Sequence, residues 1–332
     1  MKSTNKNKNN EKTLVIISAE TREYQHTFER FKHNVLDELN ADLALCVAVN
    51  HRENVTNPFY KTAKHIWQYQ EPDDWGDAFD YATEQEGVDN NWRILKTLKD
   101  QWLGGIKGKD AQAGSAGILL FFRWLTKTKL LQDDLLDKYD RFIYTRSDYL
   151  YETPHIPLEL LANNKIWIPD GEDYGGITDR YMMCNSQSII PALSIVDAML
   201  KTPKHLIDNM SFCNEWNLER YIKFSFEQNG LMDQVQRLPF TMYSLRSEGG
   251  HTSWSKGVYN EGLGYYVKYP LEYRSAQISK DFFEKTGEWN AQSIKKCHKK
   301  ITKNVLIDTN PTILYRIVRR LKKEIKKLLS LH

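Results

Sequence analysis

Apolar and polar positions along the chain fall into two alternating patterns. "TLVIISAE" (Thr13 to Glu20) is a short, continuous, β-branched apolar run. That is the pattern of a strand buried on both faces of a mainly parallel sheet. In "EYQHTFERFKHNVLDELN" (Glu23 to Asn40), Phe28, Phe31, Val35, Leu36 and Leu39 recur at helical spacing. "LALCVAVN" (Leu43 to Asn50) and "HIWQYQ" (His65 to Gln70) predict two more strands. Trp92 to Leu103 predicts a helix. "GILLFFRWLTKTKLL" (Gly117 to Leu131) predicts another, apolar over most of its girth and therefore well buried. Strands come next at Arg141 to Thr145 and Lys165 to Asp170, then helices at Gln187 to Leu200 and Glu215 to Gly230, the second stopped by its glycine. Pro239 to Arg246 closes the series as a strand. This alternation predicts an α/β fold over 13–264, with a mostly parallel, Rossmann-type sheet flanked by helices. After Gly264 the pattern weakens, which predicts an irregular extension over 265–309.

The ends of the chain differ from this body. The first twelve residues are polar and rich in asparagine and lysine, which predicts a disordered leader. They lack the apolar core of a signal peptide. At the other end, Asn310 and Pro311 form a good helix start. Between Pro311 and His332, the residues Ile313, Leu314, Ile317, Leu321, Ile325 and Leu328 fall along one face, and arginines and lysines take much of the rest. Residues 310–332 therefore read as a basic amphipathic helix. Such a helix suits an anionic membrane surface, or docking on its own domain. No apolar run approaches the roughly 18 residues of a membrane span. The expected location is cytoplasmic, peripheral on the inner face of a membrane.

Composition adds little. The net charge of +3 over 332 residues excludes a polyanion binder, and no nucleic-acid module surrounds the basic tail. The four cysteines, Cys46, Cys184, Cys213 and Cys297, have no zinc spacing and read as free thiols.

In open parallel sheets, ligands bind beyond the carboxyl ends of the strands. Three features sit at such ends. Ser18, Glu20 and Arg22 come after the first strand; an arginine there pairs with phosphate or stacks on a base, while the bland alternative is a solvated helix start. Arg146-Ser147-Asp148 ends the strand in "YDRFIYTRSDYLY". A carboxylate there binds a hard divalent cation that clamps a diphosphate, or simply closes an ordinary turn. "IPDGEDYGGITDRYMMCNSQ" gathers Asp170, Glu172, Asp173 and Asp179 around Gly171, Gly175 and Gly176. Several carboxylates in a loop supply a general base, and glycines let backbone approach a ligand.

The order of these motifs resembles a group of GT-A glycosyltransferases that build bacterial surface polysaccharides and occur in large DNA viruses. The resemblance covers roughly Thr13 to Gly250, including "NEWNLERYI" and "FTMYSLRSEGG". It implies a hexosyltransferase that moves a sugar from a UDP-linked donor to a glycan or lipid-linked acceptor. Ser18, Glu20, Arg22, Arg146, Asp148 and Arg246 would line the donor site. Asp148 and His251 would hold a divalent metal, Mn2+ or Mg2+, although Arg146 stands where the commoner Asp-x-Asp motif has its first aspartate. Asp179 is the leading base, with Asp173, Glu172 and Glu215 as alternatives. Trp254 and Tyr259 offer rings for a sugar. The competing classes are a sugar nucleotidyltransferase, which would need a glycine-rich phosphate loop after the first strand, and a non-catalytic carbohydrate- or membrane-binding protein on the same scaffold.

Overall fold

The computed structural model describes residues 11–50, 54–89, 91–98, 102–171, 173–212, 215–252 and 254–306. Most of the leader, Glu172, Cys213 and the expected helix over 310–332 lie outside the described residues. The elements run in this order: β1 (Thr13–Ala19), α1 (Tyr24–Phe31), β2 (Asp42–Val49), α2 (Pro58–Thr62), β3 (His65–Gln70), α3 (Trp75–Gln85), α4 (Ala116–Gln132), β4 (Arg141–Thr145) and β5 (Tyr149–Tyr151). Then come β6 (Ile166–Pro169), β7 (Met182–Asn185), α5 (Ser186–Leu193), α6 (Asp197–Lys201), α7 (Pro203–Met210), α8 (Leu218–Gln228), β8 (Val235–Leu238), β9 (Met242–Arg246), β10 (Val258–Asn260), β11 (Tyr265–Val267), α9 (Pro270–Thr286) and α10 (Ala291–Ile301).

Seven strands form the central sheet in the order β3-β2-β1-β4-β7-β6-β8. Only β7 runs antiparallel to its neighbours, so the fold is α/β with a mostly parallel sheet. The apolar run of β1 is buried on both faces because its side chains alternate between two layers. Leu14 and Ile16 join Trp75, Phe121 and Phe122 of α3 and α4. Val15 and Ile17 join Phe28 and Phe31 of α1. Each large apolar side chain enclosed this way contributes about 1.5–3 kcal/mol. The chain winds outward from β1 through β2 to β3, then returns to place β4 on the other side of β1. The carboxyl ends of β1 and β4 thus flank the switch point, where a ligand crevice opens.

A second sheet, β10-β11-β9-β5, grows from the strand directly after Asp148. β5 pairs antiparallel with β9, Tyr149 opposite Ser244, and the Leu245 amide donates to the Asp148 carbonyl at 3.1 Å.

Two expectations need correction. Trp92 to Leu103 is not one helix: a 3-10 segment, Trp92–Thr97, gives way to turns at 102–105. The stretch expected to be irregular after Gly264 contains β11, α9 and α10. The fully buried positions of α9 are Glu272, Ser275, Ala276 and Ser279, and beside them Leu271, Ile278, Phe282 and Phe283 pack half-buried against the α1 layer. The helix is bounded by Pro270 at its start and by Gly287 in the left-handed conformation, φ 72°, at its end. α10 is started by a capping box between Asn290 and Ser293 and buries Cys297 and Ile301 against the α1 layer. Among the described residues, no helix is long and apolar enough to cross a membrane.

Candidate functional site

A cleft of about 420 Å³ opens at the switch point between β1 and β4. One side of it is lined by Ala48, Asn50, Glu71, Trp75, Ile118 and Leu119, and there Asn50 donates to the Glu71 carboxylate. Its floor is the turn after β1 and the Arg146-Ser147-Asp148 segment. Ser18, at the end of β1, shares a hydrogen bond with the Tyr144 hydroxyl on the facing strand.

The turn after β1 is tightly held. Ala19 and Glu23 both take positive φ, 75° and 61°, a costly conformation for residues with a Cβ. Ser147 offsets that cost by donating from its hydroxyl to the carbonyls of Glu20 (2.8 Å) and Arg22 (3.1 Å). Glu23 accepts from the Ser247 amide at 2.8 Å. Three separated segments, 18–25, 146–148 and 247–251, are thereby fixed around one cleft.

Asp148 is the centre of this floor. Its Oδ2 accepts from Arg22 Nε at 3.1 Å and Arg146 Nη2 at 3.0 Å, and pairs with Arg246 Nη1 at 2.5 Å. Its Oδ1 accepts from Arg146 Nε at 3.2 Å. Burial opposes its ionisation, but Arg146, Arg246 and Arg22 outweigh burial and hold its carboxyl well below the usual range. Lys268 sits on the same face of the small sheet: its neighbour Tyr266 pairs with Arg246, and Lys268 lies two residues on. Burial pushes the Lys268 ammonium down to about 6, and Arg146 and Arg246 add to that push.

The expected metal does not fit this donor set. Both oxygens of Asp148 are already taken by guanidinium groups. A divalent ion about 5 Å from one guanidinium is repelled by roughly 7 kcal/mol at an effective dielectric of about 20. His251 stands exposed at the lip of the cleft, and among the described residues no group of three His, Cys, Asp or Glu could hold an ion with it.

Arg146 links the floor to an acidic cluster. Its Nη1 lies 3.9 Å from Asp179 Oδ2. Arg180, next in sequence, lies 3.8 Å from Asp179, 3.6 Å from Glu219 and 3.4 Å from Glu272, and stacks over the Tyr269 ring at 4.1 Å. Burial pushes the Glu219 carboxyl up to about 7, and the charge of Asp179 adds to the shift. A carboxyl poised near neutrality beside a second carboxylate suits proton transfer.

The structure places Ser18, Glu20, Arg22, Arg146 and Asp148 in the cleft lining and links Arg246 and Asp179 to them through Asp148 and Arg146. It gives the other candidates different surroundings. Asp173 turns to Arg237 at 3.0 Å and to the Thr178 amide at 3.0 Å, which pins the loop. Glu215 is largely exposed beside Arg220. Trp254 and Tyr259 are about half exposed. Gly175 and Gly176, expected to let backbone reach a ligand, serve packing instead. A Cβ on Gly176 would lie 2.0 Å from the Glu219 carbonyl oxygen, and the neighbouring Ile177 amide donates to that carbonyl at 3.0 Å. The loop thus docks on the start of α8 and brings Asp179 to Glu219. Glu219, Arg180, Lys268, Tyr269 and Glu272 carried no signal of their own beyond the adjacency of Arg180 to Asp179.

The chain matches no protein-family model and no curated protein.

Proposed function

We propose that the chain is a glycosyltransferase of GT-A-like architecture that takes a nucleotide-linked sugar, UDP-linked in the first instance, as donor. The observation that carries this reading is the joining of a guanidinium-lined cleft floor to an acidic pair through the single side chain of Arg146. Transfer needs both parts next to each other. The nucleoside lies on the Trp75 side of the cleft, the diphosphate on the floor, and the sugar toward Asp179 and Glu219. The acceptor hydroxyl oxygen bonds to the anomeric carbon as the bond to the diphosphate oxygen breaks. The electron pair leaves with the diphosphate, and the hydroxyl proton passes to the Asp179–Glu219 pair. Fixed positive charge on the floor stabilises the departing anion.

The acceptor is a glycan or a lipid-linked glycan. The basic amphipathic segment 310–332 brings the protein to an anionic membrane, each basic group adding about 1 kcal/mol near the surface. Flotation with anionic vesicles, with and without 310–332, checks this part alone.

The test of the main reading is release of nucleoside diphosphate from a panel of nucleotide sugars. Release is expected from at least one donor, and Asp179→Asn should lower it with little change in donor affinity. A protein that binds a nucleotide sugar yet never cleaves it would be a binding protein on this scaffold. One that binds none would fall outside the reading altogether.

A further inference from the structure

We infer that the cleft floor holds the diphosphate of its nucleotide through Arg22 and Arg146 directly, with no divalent cation between them. This rests on the proposed nucleotide-sugar reading and deepens it.

Each guanidinium on the floor is only partly committed. Arg22 gives Nε to Asp148 and Nη1 to Glu20. Arg146 gives Nε and Nη2 to Asp148. That leaves Arg22 Nη2 and Arg146 Nη1 without a hydrogen bond among the described residues, on two side chains that line the cleft and are 19% and 13% exposed. Guanidinium donors of this kind match phosphate oxygens, and planar, fixed groups lose little freedom on binding them.

Behind them stands a second rank. Arg246 is 0% exposed and spends Nη1 on Asp148 and on the Leu245 carbonyl. Its Nε and Nη2 are buried with no hydrogen-bond partner among the described residues. Arg246 is therefore a positioning residue. It fixes Asp148, and Asp148 fixes the planes of Arg22 and Arg146. In this arrangement the carboxylate is an orienting group rather than a metal ligand.

Three guanidinium groups share the one buried carboxylate of Asp148; Glu20 meets Arg22 at 2.5 Å but is 42% exposed, Glu23 acts on Arg246, and Asp179 stands 3.9 Å from Arg146. A diphosphate supplies acceptors for the guanidinium donors left over, whereas a cation would sit against those same donors. The first turn of α1 also borders the floor at Tyr24 and Gln25, so the positive end of that helix adjoins the guanidinium groups.

The experiment is calorimetric titration of the full chain with UDP, GDP and ADP, and with the parent nucleosides, once in excess EDTA and once in manganese. The best nucleoside diphosphate should bind with a dissociation constant that differs less than about twofold between the two conditions. Arg22→Gln, at the cleft wall, should weaken that ligand at least about tenfold while leaving the parent nucleoside's affinity unchanged. Arg146→Lys keeps the charge but loses the planar donor pair, and should also weaken binding; it serves where Arg146→Ala fails to fold. Binding that drops more than about tenfold in EDTA would overturn the inference and leave the nucleotide-sugar reading standing. Metal-independent binding that ignores both variants would also overturn it. Failure of every nucleoside diphosphate to bind in either condition would overturn the reading beneath it.

Discussion

Arg246 Nη1 meets Asp148 Oδ2 at 2.5 Å, with the two side chains 0% and 1% exposed. The contact is set by sheet register: β5 begins one residue after Asp148 and pairs with β9, which ends at Arg246. A buried ion pair stabilises only when its partners remain together, and removing one member costs about 3–5 kcal/mol. Asp148→Ala should therefore lower stability by about that amount, measured by urea unfolding at neutral pH.

Asp148 also sets an acid limit. Its folded carboxyl lies well below its unfolded value, so its contribution is complete above the unfolded carboxylate range. It is lost only as pH falls below that range toward the folded value. Asp148→Asn should flatten the decline of stability in that acid window, measured as urea midpoints across a pH series. An unchanged slope would mean that another carboxylate sets it.

Lys268 predicts proton uptake. Its folded value is pushed down to about 6. Between that value and the ordinary lysine range the unfolded chain binds the extra proton, so this group makes stability rise with pH across the interval. A bound diphosphate restores the ammonium form. Titration near pH 8 in buffers of different ionisation enthalpy should show a proton taken up with the nucleotide, and Lys268→Met should abolish it.

Glu219 has the opposite sign. With its carboxyl raised to about 7, the folded state holds the proton that the unfolded state has released. The group therefore makes stability fall as pH rises from the ordinary carboxylate range through 7. The rate of transfer should rise over the same interval as the base is freed. Glu219→Gln should remove that limb of the profile and lower turnover by about 10²–10⁴ while donor affinity holds.

Gly176→Ala tests the docking of the acidic loop on α8. With 2.0 Å between the new Cβ and the Glu219 carbonyl oxygen, the loop must move. A loss of about 1–3 kcal/mol is expected, together with slower turnover, because Asp179 and Glu219 separate. Thermal melts and rates on the same preparation check both.

Much of the sheet is legible in the sequence because β1, β2 and β4 are buried on both faces and are therefore apolar over most of their length. Short strands such as β7, "MMCN", give no period to read. α9 is harder to read because its most buried positions are Glu272, Ser275, Ala276 and Ser279, which interrupt the apolar spacing of Leu271, Ile278 and Phe282. In the site, Arg22, Arg146 and Asp148 are legible as charges at strand ends, where a polar residue has a reason to stand. Lys268 and Glu272 are not. They reach the cluster only through the pairing of β11 with β9 and the packing of α9, contacts between distant segments that no local pattern encodes.

A crystal structure of the full chain with its best-binding nucleoside diphosphate, grown in EDTA, bears most directly on the proposed site. The diphosphate oxygens should lie within about 3 Å of guanidinium nitrogens of Arg22 and Arg146, with the base on the Trp75 side of the cleft. A nucleotide seated away from the switch-point cleft, or one whose phosphates avoid both arginines, would contradict the assignment.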